Sequence, residues 1–318
     1  MNPIVDTVNL VRPQRATVIT LMGPTASGKT STAIELAKLI NGEVISVDSA
    51  LIYKDMNIGT AKPSLDEQQG IRHHLLDIIA PEDSYSVAEF KRDCVANIED
   101  VLARKKQPIL VGGTMMYFNA LINGLSSLPQ SDLNIRAGLQ DEIANKGLNV
   151  MHEELAKVDP QSAQRIHQND SQRITRALEV FRLSGKSISQ WQAEKPDPLP
   201  YHFEQFSIMP MQRSDLHQRI ERRFDIMLSQ GFEQEVVNLM AKGTLNTDMP
   251  SMRSVGYRQM WQYLEGHIDA NEMRERGIIA TRQLAKRQVT WLRGWQELSA
   301  LDTHASNNID IILKKLGS

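Results

Sequence analysis

Cysteine is nearly missing from this chain: Cys94 is the only one in 318 residues. A lone thiol excludes an internal disulfide and any cysteine-based zinc cluster, and it fits a reducing compartment. Also missing is an apolar run of membrane-spanning length, and the opening segment "MNPIVDTVNLVRPQR", which carries Asp6, lacks the apolar stretch of a secretory leader. The expectation is a soluble, cytoplasmic protein with no membrane partner. A formal net charge of -2 offers no global basic field, so a nucleic acid would have to be met by a local patch. There are no repeats, no low-complexity tract and no linker of independent-domain type. The adjacent His73 and His74 have no partner at ligand spacing, so no metal is assigned to them. What remains is ordinary globular composition, 41% apolar and 23% charged, with enough length for one large or two ordinary domains.

The first 124 residues alternate strands and helices. "ATVITLM", Ala16 to Met22, is a short apolar run that feeds a glycine-rich loop, and "KTSTAIELAKLI" then places Ala33, Leu36, Ala37 and Ile40 at helical spacing. "EVISV" is a second strand ending at Asp48, "HLLDII" a third, and "PILVGG", Pro108 to Gly113, a fourth; Ser86 and Glu89 form a capping box that opens a helix between the last two. Such alternation predicts a parallel sheet whose ligands sit beyond the carboxyl ends of its strands, which aims Asp48 and Gly112 toward the loop. After Gly124 the texture changes. "LSSLPQSDLNIRAGL" is a break, and only helical patterns run from Asn134 to Glu194, among them "SQRITRALEVFRLSG", with Ile174, Leu178 and Phe181 on one face and Gly185 as its cap. "PDPLPYHFEQFSIMP" marks a return to the sheet, with a strand at about Gln205 to Met209, followed by helices to the end. The expected fold is therefore α/β, a P-loop NTPase-like parallel sheet core with an all-helical insertion domain: 1–124 as the first part of the core, 125–200 as the insertion, and 201–318 as the core's completion by one strand and basic helices.

The loop itself, "GPTASGKT", is Gly23, Pro24, Thr25, Ala26, Ser27, Gly28, Lys29 and Thr30, the pattern G-x-x-x-x-G-K-[ST] between a strand and a helix. Its backbone N–H groups hold phosphate oxygens, Lys29 adds a point charge and Thr30 is placed to coordinate Mg²⁺. A nucleotide hydrolase of this architecture also wants an acid at a strand end to manage the metal and the attacking water, yet "PILVGGT" ends in glycines. The one acidic strand end is Asp48, which could act as a base, hold the acceptor substrate of a small-molecule kinase, or merely start a turn. Basic residues gather in the second half. In "SDLHQRIERRFDIML" the apolar positions Leu216, Ile220, Phe224 and Met227 leave Arg219, Arg222 and Arg223 to another face, where Asp215 and Glu221 could neutralise them. From Arg276 to Arg293 there are five cations, Arg276, Arg282, Lys286, Arg287 and Arg293, and no acid. Arg253, Arg258, Arg173 and Arg176 add further charge, with Gln172 and Tyr257 available to a base or sugar. Trp191, Trp261, Trp291 and Trp295 read as packing residues before stacking platforms. A metabolite kinase would use the loop and not the basic stretches; an RNA-binding protein without catalysis would use the stretches and not the loop.

Taken together, "GPTASGKT", "ISVDSALIYKDMNIGTAKP", "HHLLDI", "VGGTMMYF", "IHQNDSQRITRALEVF", "RIERRFDIML", "RSVGYRQMW" and "ATRQLAKRQVTWLRGW" resemble the bacterial tRNA dimethylallyltransferase (tRNA isopentenyltransferase) family over nearly the whole chain. The resemblance implies transfer of a dimethylallyl group from dimethylallyl diphosphate to N6 of adenosine 37 in tRNAs that read codons beginning with U. It implies a P-loop core whose helical insertion grips the anticodon stem-loop, with Mg²⁺ as cofactor; the expected state is a monomer. By matching motif positions, Asp48, Thr25 and Arg223 become the catalytic residues and the loop from Gly23 to Thr30 the diphosphate site. Contacts to tRNA are implied for Asp48, Ser49, Ala50 and Leu51; for Thr114 and Arg136; and for Gln172, Arg173, Ile174, Thr175 and Arg176. They are likewise implied for Arg253, Ser254, Val255, Gly256, Tyr257 and Arg258, and for Lys286, Arg287, Gln288, Val289, Thr290, Trp291, Leu292 and Arg293. The zinc-finger extension of some eukaryotic relatives is absent. On this reading the loop holds the leaving group of an isoprenoid, and no nucleotide needs to be hydrolysed.

Overall fold

The computed structural model describes residues 15–194 and 198–317, so the opening segment read above, apart from Arg15, and Pro196 and Asp197 of the return segment lie outside the described residues. In chain order the elements are β1 (Ala16–Met22), α1 (Lys29–Leu39), β2 (Gly42–Val47), α2 (Leu65–Gln68), β3 (His73–His74), α3 (Val87–Ala103), β4 (Gln107–Gly112) and α4 (Met115–Ile122). Then follow α5 (Leu133–Lys146), α6 (Leu148–Val158), α7 (Pro160–Arg165), α8 (Ser171–Ser184) and α9 (Ile188–Ala193). The chain closes with β5 (Tyr201–Met209), α10 (Arg213–Ser229), α11 (Phe232–Met240), α12 (Tyr257–Leu264), α13 (Ala270–Arg293), β6 (Ser299–Asp302) and α14 (Asn308–Leu316).

Six strands form one sheet in the order β3-β2-β4-β1-β5-β6, every pair of neighbours parallel. Helical crossovers cover both faces of such a sheet, which is why β1, β2 and β4 are largely apolar and buried almost throughout, Thr20, Glu43 and Ser46 being polar residues buried with them. Register brings Met22, Val47 and Gly112 level at the carboxyl edge, so the residues that follow, Gly23, Asp48 and Gly113, leave the sheet side by side. Glycine is obligatory at 112: a Cβ there would stand 1.9 Å from the Val47 carbonyl oxygen. One core cluster, with Leu21, Leu36, Val44, Ile109 and Phe206, packs on the sheet; another gathers Ile52, Ile220, Phe224, Phe232, Tyr257 and Met260 around the later helices.

The chain divides into two compact units, one of residues 1–120 and 200–318 and one of Leu121–Leu199. The second contains only helices among its described residues, built on Leu139, Met151, Leu155, Ile174 and Leu178. Its expected cap is present, Gly185 taking φ 67° while its N–H reaches the Phe181 carbonyl, and the Ser86 capping box opens α3 as read. Phe181 is only half-buried, the inward face being completed by Ala177 and Val180.

Three strand readings change. "HLLDII" gives only the two-residue β3, because Leu75 and Asp77 adopt positive φ (61° and 54°) and end the extended run; Ile78 and Ile79 donate instead to the Ile52 carbonyl. β5 begins at Tyr201, four residues before the expected start, and β6 is a strand whose four residues carry no alternation to announce them.

Candidate active site

The glycine-rich loop leaves β1 at Gly23, whose N–H bonds to the Gly112 carbonyl at 3.2 Å, and turns through left-handed conformations at Ala26 (φ 63°) and Gly28 (φ 91°) into α1. Four side chains then fix its backbone. Lys29 Nζ donates to Pro24 O at 3.2 Å, Arg219 Nε to Ala26 O at 2.7 Å and Thr303 Oγ1 to Ser27 O at 2.7 Å, while the Thr25 N–H donates to Gln288 Oε1 at 2.9 Å. With these carbonyls tied back, the remaining amides and the N-terminus of α1 are left to meet an anion.

Two cavities adjoin the loop within this unit. The smaller, about 140 Å³, is lined by Lys29, Thr30, Asp48 and Arg223 and by apolar Leu51, Ile220, Phe224, Met227, Val255 and Leu284. The larger, about 1390 Å³, is an open basin that also adjoins the loop, whose lining adds Lys38, Lys62, Arg219 and Arg222 together with Glu35, Glu67 and Asp77. Lys29, Thr30 and Arg223 belong to both, which places the anion cradle where the two meet.

Charge at that junction is unbalanced. Asp48 is the only carboxylate among the described residues lining the smaller cavity, against Lys29 and Arg223. Burial pulls the Lys29 ammonium down to about 8, opposed by Asp48 and reinforced by Arg223. Burial lowers Arg223 in the same way, with Asp48 opposing. An anion arriving here would restore both cations to ease. Asp48 follows β2 directly, and its Oδ1 accepts from the Ala50 N–H at 2.9 Å, so it does start a turn and lines the cavity as well. Thr114 stands next to it, accepting from the Ser49 N–H at 3.0 Å.

The stretches matched to tRNA contact divide by burial. Ser49, Gln172, Arg173, Arg253, Lys286, Arg287, Thr290, Trp291 and Arg293 are exposed. Ser254, Val255 and Gln288 line the smaller cavity. Ile174, Thr175, Gly256, Tyr257 and Leu292 are buried, so their side chains pack and contact surface comes from their neighbours; a helix turned toward a ligand shows it only some of its residues. Tyr257, read as free for a base or sugar, instead donates its hydroxyl to Glu235 at 2.6 Å. Val289 packs partly buried against the core, and Arg258 donates to the Thr247 carbonyl. In the helical unit, Arg136 and Arg176 both pair with Glu179, which is fully buried and also accepts from Ser131 Oγ and the Asp132 N–H.

Other electrostatic readings are corrected. Glu221 faces α13, pairing with Arg274 and Arg282, and Asp215 faces His304, so neither neutralises Arg219, Arg222 or Arg223. Arg276 pairs with Glu272 one turn earlier. The basic run of α13 is thereby reduced to Lys286, Arg287 and Arg293. Among the tryptophans, Trp261 is buried, Trp295 donates to Gln205 and Trp191 lies under Lys186, while Trp291 is 44% exposed and meets the Trp295 ring at 6.4 Å between centroids. The roles of Arg219, Thr303, Glu235 and the inward-facing Gln288 carried no local signal, since each acts on a loop far away in sequence.

Comparison with known proteins agrees with this geometry. The IPP transferase family model matches residues 51–295. A tRNA isopentenylpyrophosphate transferase from Bacillus halodurans is 34% identical, over 96% of each chain, with a TM-score of 0.70. A tRNA delta(2)-isopentenylpyrophosphate transferase from Staphylococcus epidermidis is 33% identical, over 95% of this chain and 99% of its own, with a TM-score of 0.69. A eukaryotic dimethylallyltransferase acting on tRNA is 29% identical, over 95% of this chain and 77% of its own, with a TM-score of 0.80. With a phosphate loop, a strand-end carboxylate in the cavity beside it and these likenesses along its length, the chain belongs to the IPP transferase family, the tRNA dimethylallyltransferases, and is a prenyl-transferring enzyme.

Proposed function

We propose that the enzyme transfers the dimethylallyl group of dimethylallyl diphosphate to N6 of adenosine 37 in the anticodon stem-loop of tRNAs that read codons beginning with U, in the cytoplasm and as a monomer. The observation that carries this reading is one cavity with an anion cradle, apolar walls and a single carboxylate. Breaking the allylic C–O bond moves negative charge onto the leaving diphosphate. The loop amides, Lys29 and Arg223 meet that charge, and they stabilise the transition state more than the ground state because the charge grows as the bond breaks. Asp48 orients the adenine amine and takes its proton late, once N–C bonding has made it acidic. Thr25, at the loop's tip and in the cavity lining, completes the catalytic set. The adenine would have to leave its stack to reach this depth.

Mg²⁺ fits the residues present. Thr30 lines both cavities, and no cluster of three His, Cys, Asp or Glu side chains among the described residues could hold a metal without substrate, so the ion would be held by the Thr30 hydroxyl, water and diphosphate oxygens. When bound it would add positive charge against the leaving group. Tethering of the anticodon stem-loop is assigned to Arg136, Gln172, Arg173 and Arg176 of the helical unit, and to Arg253, Arg258, Lys286, Arg287 and Arg293. No helix among the described residues is long and apolar enough to cross a membrane.

The test separates this enzyme from a kinase built on the same loop. A five-carbon tail needs shape and apolar contact, worth about 0.8 kcal/mol per CH₂, whereas an adenosine among Leu51, Phe224 and Leu284 would leave polar edges unpaired. Dimethylallyl diphosphate with Mg²⁺ is expected to raise the melting temperature, and ATP at equal concentration to raise it much less. Strong protection by ATP, with γ-phosphate moving to a small acceptor and no isoprenoid reaching tRNA, would overturn the proposal. A second expectation concerns the exposed cations. Neutralising Lys286, Arg287 or Arg293 should each lower the slope of log affinity for tRNA against log salt by up to about 1. Slopes that stay unchanged after several substitutions would return these residues to a solvated face.

A further inference from the structure

The segment Asn57 to Ala61 contributes to the lining of both cavities that adjoin the phosphate loop, and its anchor is a glutamate that no local pattern singled out. Glu235, on α11, accepts three consecutive backbone N–H groups: Oε2 takes Asn57 at 2.8 Å and Ile58 at 2.7 Å, and Oε1 takes Gly59 at 3.0 Å. The Tyr257 hydroxyl completes the set at 2.6 Å on Oε1. Three amides converging on one carboxylate fix a loop more firmly than any one hydrogen bond, and the charge strengthens each of them. Packing acts in the same direction, because a Cβ on Gly59 would stand 2.1 Å from the Phe232 ring.

What this clamp holds in place is the end of the loop that faces the chemistry. Gly59, Thr60 and Ala61 line the smaller cavity, and the Ala61 carbonyl accepts from Arg223 Nη2 at 3.4 Å. Ala61 has φ 50°, a conformation a non-glycine residue keeps only where its surroundings over-determine it. The turn's own bonds hold it there, the Ala61 N–H donating to Ile58 O at 2.9 Å and the Lys62 N–H to Asn57 O at 2.9 Å, and the two residues that accept are ones Glu235 clamps from outside the pocket. We infer that Glu235 is a positioning residue for the transfer: by clamping residues 57–59 it sets the Ala61 carbonyl, and through it the direction in which the Arg223 guanidinium meets the diphosphate. This rests on the placement of Arg223 proposed above.

The experiment is a double-mutant cycle on the full-length enzyme, read by single-turnover transfer to tRNA. Glu235→Gln preserves shape but opposes the Gly59 N–H with an NH₂ group, and misplacement of about 1 Å can lower a rate by up to 10²-fold; a fall of about tenfold in kcat is expected, with KM for tRNA unchanged. Arg223→Lys keeps the charge and loses the fork, for a fall of about ten- to thirtyfold. If the glutamate acts through the arginine, the double variant should be less than about threefold slower than Arg223→Lys alone, since coupled sites are not additive. Multiplication of the two effects in full, or wild-type kcat in Glu235→Gln even where its melting temperature falls, would overturn the inference and leave the Arg223 placement intact. Wild-type rates in both Arg223→Lys and Arg223→Ala would remove Arg223 from the diphosphate, and the coupling with it. Should Glu235→Gln fail to fold, Tyr257→Phe, which removes one donor and leaves the three amides, replaces it in the cycle with the same criterion of non-additivity.

Discussion

Asp48→Asn is expected to lower kcat for transfer to tRNA by about 10²- to 10⁴-fold, the range of a lost general base, with donor binding nearly intact. The substitution is a clean one here because of how the carboxylate is held. Its Oδ1 accepts the Ala50 N–H, a bond the asparagine carbonyl can keep, so the turn after β2 and the neighbouring Ser49–Thr114 contact survive. What is lost, on the proposed role, is the proton acceptor for the amine. No other carboxylate among the described residues lines that cavity, so no second base is at hand to replace it. Single-turnover rates, measured with donor saturating, isolate this step from tRNA release. Rates near wild type would return Asp48 to its turn.

Much of this site was legible before any coordinates, and the reason is geometric. A parallel sheet delivers its strand ends to one edge, so a phosphate loop after β1 and an acid after β2 had to leave the same edge once the alternation of strands and helices was read, and the sheet order then sets only β4 between them. Strand interiors were legible because burial on both faces favours largely apolar runs, even with Thr20, Glu43 and Ser46 buried among them. The helical unit was legible from its caps and its 3.6 periodicity. What stayed hidden was whatever depends on side chains meeting across long separations. Gln288 looked like one more polar residue in a basic helix, yet it is 263 positions from the Thr25 amide it holds. Glu221 sat among arginines on its own helix and pairs with arginines of another. Contiguous motif blocks also hide which of their members face inward: Ile174, Tyr257 and Leu292 belong to the blocks by sequence and to the cores by packing. The short β3 is a different failure. Its apolar run would suit a strand, and two left-handed residues that no composition rule anticipates cut it after His74.

Lys29→Ala should reduce kcat by about 10²- to 10³-fold, the scale of removing one donor from a site where charge develops, and should also flatten a pH dependence. Burial sets the Lys29 ammonium at about 8 in the unliganded enzyme, well below the 10.5 of a free lysine. Because the folded value is the lower one, the unfolded chain binds more protons between about 8 and 10.5, and stability of the unliganded enzyme rises with pH across that window. Diphosphate has the opposite preference, for the charged lysine. Donor affinity should therefore be at its full value below pH 8 and weaken as pH climbs above it, each binding event taking up a proton there. Melting-temperature shifts with dimethylallyl diphosphate across pH 7 to 10, alongside calorimetry in two buffers of different ionisation heat, would read both. In Lys29→Ala the proton uptake disappears and donor protection becomes weak at every pH. An alkaline fall in protection that persists in the variant would assign the titration to another group, and transfer at near wild-type rate would take the loop's lysine out of the reaction altogether.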